Sequence, residues 1–390
     1  MEATTLNELI RFNLEGTYGE TPAAPDMEGL ILKNGPALNL AKTSYESQDV
    51  GQAERMQSHN IETGRRWTGE LVADFTMSLF ELFRIQVLRG VLVEASETGS
   101  TLSGLMDLDS TTDRIEFAES ADFDLFKGAK LLKIENSANA ENNNTFRVVS
   151  VGSNFLQLED GSLASDDDST TTAAISISAN YIRNGNEDAP GVHIERGFTD
   201  IGKYESFIGG ILNSLAITIP AETEITMTAS YIGQNVITGN ASVAGTVTPA
   251  AGETPISAAT VPGQIYANGL KIADLSSLDF TIGNNLRDKP VIGSSFGLRR
   301  GDGYTDITGS LEAYTGDNDL FDNYLAHGDL SLEIPIPGAD GRQAMVYLPR
   351  IKQNDNNKGA PSANSDVMQS VSWKAFRPAD KDFTVQIDII

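Results

Sequence analysis

The chain has three histidines, His59, His193 and His327, and they are far apart. None belongs to a His-x-x-x-His pair or has the flanking glutamate that a zinc hydrolase needs. Each reads as a packing or surface residue, and His327, at the end of a short helical stretch, suits the negative end of a helix dipole. There are no cysteines, which removes a disulfide framework, thiolate metal sites and a cysteine nucleophile. The stretch from Gly197 to Lys203, GFTDIGK, has phosphate-loop spacing. However, Tyr204 stands where a magnesium-binding Ser or Thr is required, and the residues beyond it read as strand where the motif needs a helix. Arg300-Gly301-Asp302 spells an adhesion tripeptide, yet the glycines around Asp302 are those of a turn. Asp166-Asp167-Asp168 lacks the alternating ligands, turn glycine and distal glutamate of a calcium loop. No Gly-x-Ser-x-Gly elbow sits on a strand-to-helix turn, and acidic pairs are too plentiful to single out a glycosidase pair. No catalytic, cofactor or metal residue is therefore assigned. The expectation is a structural protein that buries subunit interfaces.

The elements that must position such interfaces follow from the bulk numbers. A chain of 390 residues, 40% hydrophobic and 21% charged, can bury the cores of two domains and a third small one. No run is long and apolar enough for a membrane helix, and the opening MEATTLNELIRF lacks a basic head and apolar core, so export by a signal peptide is not expected. With 28 Lys plus Arg against 54 Asp plus Glu, the formal net charge is −26. Such a chain should not grip nucleic acid, because that binding runs on cations displacing counterions from phosphates. It should repel DNA, although acidity also serves solubility.

One pattern occurs twice. In Tyr304–Asp329, Ile307, Gly309, Leu311 and Ala313 alternate with polar residues as in a half-buried strand. Asp317 or Asp319 can then cap a helix, Leu320, Phe321, Tyr324 and Leu325 share one helical face, and Gly328 suits a left-handed terminus. In Arg66–Gly90, TGEL at 68–71 matches TGSL at 308–311, Leu79-Phe80 matches Leu320-Phe321, and Gly90 matches Gly328. The distance from the Leu-Phe pair to the glycine is 11 positions in one copy and 8 in the other, a difference of about one helical turn. Polar runs precede both copies, at 43–66 and 284–303, and the first reads as a long exposed hairpin or loop.

Elsewhere the chain reads as mainly β. Residues 8–22 form an extended opening segment broken at Gly16, Gly19 and Pro22. Residues 30–40 read as a strand pair around Asn34-Gly35-Pro36. Ile211–Ile219 and Glu224–Ile232 make a hairpin around Pro220-Ala221, and Leu275–Ile282 echoes its first strand. Residues 91–178 have no counterpart in the second half. Their short strands at Ala129–Ile134, Thr145–Val151 and Phe155–Leu158 suggest a small inserted β-module, with a turn at Asn139–Asn144. Residues 238–262, rich in Ala, Thr, Gly, Ser and Pro, read as a linker. Strands are expected at Met345–Leu348, Gln369–Phe376 and Phe383–Ile389, with a polar loop over 353–366. The last strand needs a sheet edge or a partner for its backbone. The domains expected are 1–90 plus 179–237, the insertion 91–178, the linker 238–262, and 263–390.

In ELIRFNLEGTYGETP, GRRWTGELVADFTMSLFELF, VHIERGFTDIGKYESFIGGILNSLAITI, LSSLDFTIGNNLRDKPVIGS and DITGSLEAYTGDNDLFDNYL, followed by MVYLPRIK, the chain resembles the major tail tube proteins of long-tailed, siphovirus-like bacteriophages. The resemblance implies duplicated β-sandwich domains with flanking short helices. It implies inner strands that join those of neighbouring subunits into a β-barrel, and rings stacked into a hollow tube through which DNA is ejected. It also implies self-association, with three chains per pseudo-sixfold ring or six per ring if the domain is not duplicated. Tail terminator and tip proteins would bind the tube ends, double-stranded DNA would pass without specific binding, and no membrane would take part. The protein would be assembled in the host cytoplasm and reside in the virion tail, with the 91–178 module on the outside. Glu70 and Glu312, on the repeated strands, are the candidate lumen carboxylates. The alternatives are a tail terminator or capsid decoration protein, or a β-rich hydrolase.

Overall fold

Period-two alternation becomes strand along most of this chain, and the breaks come where glycine, proline and asparagine cluster. A computed structural model describes residues 8–20, 23–46, 59–257, 266–271, 275–297, 299–316, 318–359 and 366–390. The first stretch holds β1 (Glu8–Glu15), β2 (Met27–Gly29), β3 (Asn39–Glu46), β4 (Asn60–Asp74) and α1 (Met77–Leu88). Next come β5 (Leu92–Thr98), β6 (Met106–Asp109), β7 (Arg114–Phe117), α2 (Ser120–Phe126), β8 (Leu131–Glu135), β9 (Thr145–Val151), β10 (Phe155–Leu158), β11 (Asp167–Asp168) and β12 (Ser176–Arg183). The middle holds β13 (Gly191–Phe198), β14 (Lys203–Pro220), β15 (Thr226–Gly233), β16 (Asn235–Gly239), β17 (Val247–Thr248), β18 (Tyr266–Ala267) and β19 (Leu270–Lys271). The last part holds β20 (Leu275–Gly283), β21 (Asp306–Tyr314), α3 (Asp319–Leu325), β22 (Leu330–Pro337), β23 (Gln343–Gly359), β24 (Met368–Ala375) and β25 (Gln386–Ile389).

The principal sheet is antiparallel and runs β3-β4-β15-β14-β20-β21-β24-β23. Its first four strands and its last four repeat one order. The long strands β14 and β23 then continue into a second layer with matching neighbours. β14 pairs with β13 and β16 there, and β13 with β1. β23 pairs with β22 and β25, and β22 with β18. Even the irregularities recur. The β14/β15 ladder shifts between Leu212 and Ser214, and the β23/β24 ladder between Gln353 and Asp355. Such bulges let one strand bend from one layer to the next. Pro349 lies in the shift of the β22/β23 ladder, where Leu332 faces Leu348 and Leu330 faces Ile351. Its missing N–H therefore costs no ladder bond.

Between the layers lies one apolar cluster that includes Trp67, Leu71, Phe75, Leu215, Ile217, Tyr231, Phe280, Leu311, Val371 and Trp373. Helix α1 adds Phe80, Phe83 and Val87, with the Phe75 and Phe80 rings 5.0 Å apart. The repeated Thr-Gly has a packing reason. Gly69 and Gly309 face Tyr231 and Trp373 in equivalent register, and each leaves room for a large neighbour: a Cβ would overlap Leu38 at Gly69 and the Trp373 ring at Gly309.

A second cluster, with Phe117, Phe123, Phe126, Leu132, Ile134 and Leu156, lies within 95–181. Its strands run β6-β7-β10-β9-β8-β12, and β12 also pairs with β5 and with the C-terminal β25. The Asp388 carboxylate accepts from the Lys130 and Leu131 amides at 2.6 and 3.0 Å. Glu333 takes a two-point ion pair from Arg147 and a contact from Lys130. These groups tie the cluster to β22 and β25.

Several expectations are corrected. Residues 30–38 form no strand pair: β2 stops at Gly29 and β3 starts at Asn39, since Pro36 cannot donate to a ladder. β23 does not end before Pro349, and 353–359 is strand because β24 pairs along it. Residues 360–365 of the expected loop lie outside the described residues, as do Pro22, Asp317, 47–58 of the first polar run and 258–262 of the linker. The C-terminal strand starts at Gln386, not Phe383, and it has the partners its backbone needs, since β25 is held between β12 and β23. α2 is a helix that short-range pattern did not mark. α3 has Asn318 at its N-cap without a side-chain cap bond and buries no residue, so the expected apolar face is only partly covered. α1 has 12 residues and α3 has 7, more than one turn of difference. Neither Gly90 nor Gly328 takes the left-handed position. Arg89 (φ 53°) and His327 (φ 49°) do. Each following glycine serves close approach instead, since a Cβ would overlap the Arg183 carbonyl at Gly90 and the Asn323 side chain at Gly328.

Candidate functional site

Because side chains alternate across a strand, burying Leu71, Ala73, Met227, Ala229, Leu215, Ile217, Phe280 and Leu311 on one face of the principal sheet turns their neighbours to the other face. That second face is built mainly of hydroxyls. β15 gives it Thr226, Thr228 and Ser230, β14 Ser214 and Thr218, and β20 Ser277 and Thr281. β21 adds Thr308 and Ser310, and β24 Ser370 and Ser372. Strand pairing sets three carboxylates into this field. Glu70 faces Ser230. Asp279 lies between Thr218 and Ser310, and Glu312 between Ser277 and Ser370.

Among the described residues these three make no salt bridge, whereas the flanking acids do: Asp306 with Lys374 at 2.6 Å and Asp74 with Lys33 at 3.3 Å. Arg66, at the hairpin end of this face, is held by Asp288 at 2.5 Å. The face therefore combines sequence-tolerant hydrogen-bonding groups with uncompensated negative charge. Glu70 and Glu312 are on it as exposed residues, but not at equivalent places. The ladders equate Glu70 with Ser310, and Glu312 with Val72. Asp279 was missed, although LSSLDFTI alternates so that Ser277, Asp279 and Thr281 oppose Leu278, Phe280 and Ile282.

Two features flank this face. At one end the β3–β4 hairpin stands clear, with every residue of β3 exposed and Leu40, Tyr45 and Ile61 open to solvent. At the other end, residues 352–359 of β23 pair with β24 on one side, and among the described residues no strand lies on the other. Such edges present backbone groups ready to accept another strand.

The remaining motifs are structural. GFTDIGK turns β13 into β14, with Gly202 at φ 61°, and a strand follows it. Arg300 is buried, paired with Asp288 and donating to the Gly233 carbonyl at 2.7 Å, while Asp302 accepts from Arg89 at 2.6 Å. The adhesion tripeptide is thus engaged at both charged ends. Asp167 is taken up by Ser137, the Ala138 amide and Thr172. His193 is buried on β13, and burial lowers its pKa to about 4 and keeps it neutral. His59 and His327 are exposed and separate. No helix among the described residues is long and apolar enough to cross a membrane. A family model described as phage tail tube protein matches residues 7–375. No curated protein matches the chain.

Proposed function

Because the chain belongs to the phage tail tube protein family, and so is a structural protein of the virion tail, we propose that it polymerises into stacked rings whose bore is lined by the hydroxyl-and-carboxylate face of the principal sheet. The observation that carries this reading is that face itself: a continuous polar surface across two repeated sets of four strands, bearing Glu70, Asp279 and Glu312, which make no salt bridge among the described residues. DNA presents one phosphate charge per ~1.7 Å of helix axis. Carboxylates repel it over a Debye length of ~8 Å at cell salt, and hydroxyls offer contacts that carry no net attraction. The genome then slides through without sticking.

The repeated pairings support two tail-tube units, 1–90 plus 179–237 and 263–390, with 91–178 inserted and 238–262 as the connection. Three chains then close a pseudo-sixfold ring, with terminator and tip proteins at the tube ends. The separate core of the insertion suits a module carried on the outer wall, where its bulk leaves the bore open. Assembly takes place in the host cytoplasm. A phage carrying E70K, D279K and E312K together tests the channel. Tubes should still form while genome delivery falls at least tenfold, and undiminished delivery from such tails would refute the electrostatic role.

A further inference from the structure

The junction between the two halves of the principal sheet is a template for the junction between chains. Inside one molecule, the C-terminal half of β14 pairs with β15 on one side and β20 on the other, with Ser214 facing Gly283 and Ala216 facing Thr281. The corresponding half of β23 pairs with β24, and its other side meets no strand among the described residues. β3, which holds the place of β20 in the first set, pairs among the described residues with β4 alone.

Ladder registers align the two sets residue by residue. Ser214 faces Ser230 just after one bulge, and Asp355 faces Ser372 just after the other, so Asp355 corresponds to Ser214 and Asn357 to Ala216. Asn39 faces Thr68 and Thr281 faces Thr308, so Asn39 corresponds to Thr281 and Ala41 to Gly283.

A second observation falls at the same place. α1 packs on β14 and buries seven residues, among them Phe80, Phe83 and Val87, whereas α3 packs on β23 and buries none, leaving Leu325 67% exposed. The half of the sheet that lacks its neighbouring strand also has an uncovered helix. Resting on the tube reading above, we infer that β3 of one copy adds to the open half of β23 in a second copy in the register of the internal junction, Asn39 opposite Asn357 and Ala41 opposite Asp355.

The chain has no cysteine, so engineered pairs report without background. N39C with N357C, and A41C with D355C, replace exposed side chains. Directly opposed Cβ atoms lie about 4.5–5.5 Å apart and diagonal ones about 7–8 Å, and only the former approach disulfide geometry. Tubes of either pair, assembled under reducing conditions and then oxidised, should give covalent multimers at least tenfold more abundant than those of A41C with N357C, which is shifted by two residues. Wild-type tubes checked by hydrogen exchange should show the amides of 39–43 and 355–357 protected relative to the free chain. Preferential linkage of the shifted pair, or amides that stay unprotected in wild-type tubes, would overturn the register while leaving the tube reading intact. A wild-type protein that forms no ring or tube at any salt concentration would instead overturn the tube reading.

Discussion

Two buried titratable residues act in opposite senses over one pH range. Asp388 is enclosed on β25, and burial raises its pKa to about 6 despite the Lys130 and Leu131 amides. Its folded pKa lies above the unfolded value of about 3.9. The stability it contributes is therefore complete below that value and lost as pH rises to about 6. His193 is the reverse: its pKa is lowered to about 4 by burial, so stability falls as pH drops from about 6.5 toward 4. We predict that D388N makes stability rise more steeply with pH between 4 and 6.5, and that H193F removes part of that rise. Urea titrations across this range check both. Glycine 309 gives a further expectation. A Cβ there would overlap the Trp373 ring and crowd the Asp279 carbonyl, whereas Gly316 has open space. G309A should cost about 1–3 kcal/mol, as overpacking does, and G316A should be close to neutral in the same thermal melts.

At the scale of elements, the insertion is joined to the second unit through β12, which pairs with its β5 and β8 and, at Tyr181–Arg183, with β25, and by the buried Arg147–Glu333 pair. Removing one partner of a buried pair costs about 3–5 kcal/mol, and Lys130 at 2.8 Å would offset part of this. R147A should therefore destabilise the chain by roughly 3 kcal/mol, the low end of that range, and speed hydrogen exchange in β8 and β9 before the principal sheet opens. Unchanged exchange there would show that β12 alone anchors the insertion.

The same scale shows what was readable in advance. Alternation in ILNSLAITI, TMTASYI and LSSLDFTI marked strands because one face is buried and the other wet. The twin TG phrases marked equivalent ladder positions, and each glycine makes room for a large neighbour, Leu38 at Gly69 and Trp373 at Gly309. Local pattern failed where a distant strand decides the outcome. Residues 353–359 are as polar as a loop but are strand because β24 pairs with them, and β25 has a neighbour on its second side only because Tyr181–Arg183 of β12 reach it from a distant part of the chain. The glycines after α1 and α3 are ordinary helix-stop signals, yet close contacts with Arg183 and Asn323 claim them, and the left-handed turn passes to the residue before. Glu70 and Glu312 came from the family resemblance and the repeated strands; their face, and their offset from one another, required the ladders.

At the scale of the whole molecule, a net charge of −26 per chain opposes packing many copies side by side. Raising salt about tenfold, from roughly 0.05 to 0.5 M, shortens the screening length about threefold. It should lower the protein concentration at which tubes appear, as followed by sedimentation. Assembly that weakens with salt would point to attractive charge pairs at the junctions. The most direct test of the account is a cryo-EM map of tubes grown from purified protein. The bore should be walled by the principal sheets of neighbouring chains, with Glu70, Asp279 and Glu312 pointing into it. A bore lined by the 91–178 module, or those three carboxylates on the outer surface, would contradict it.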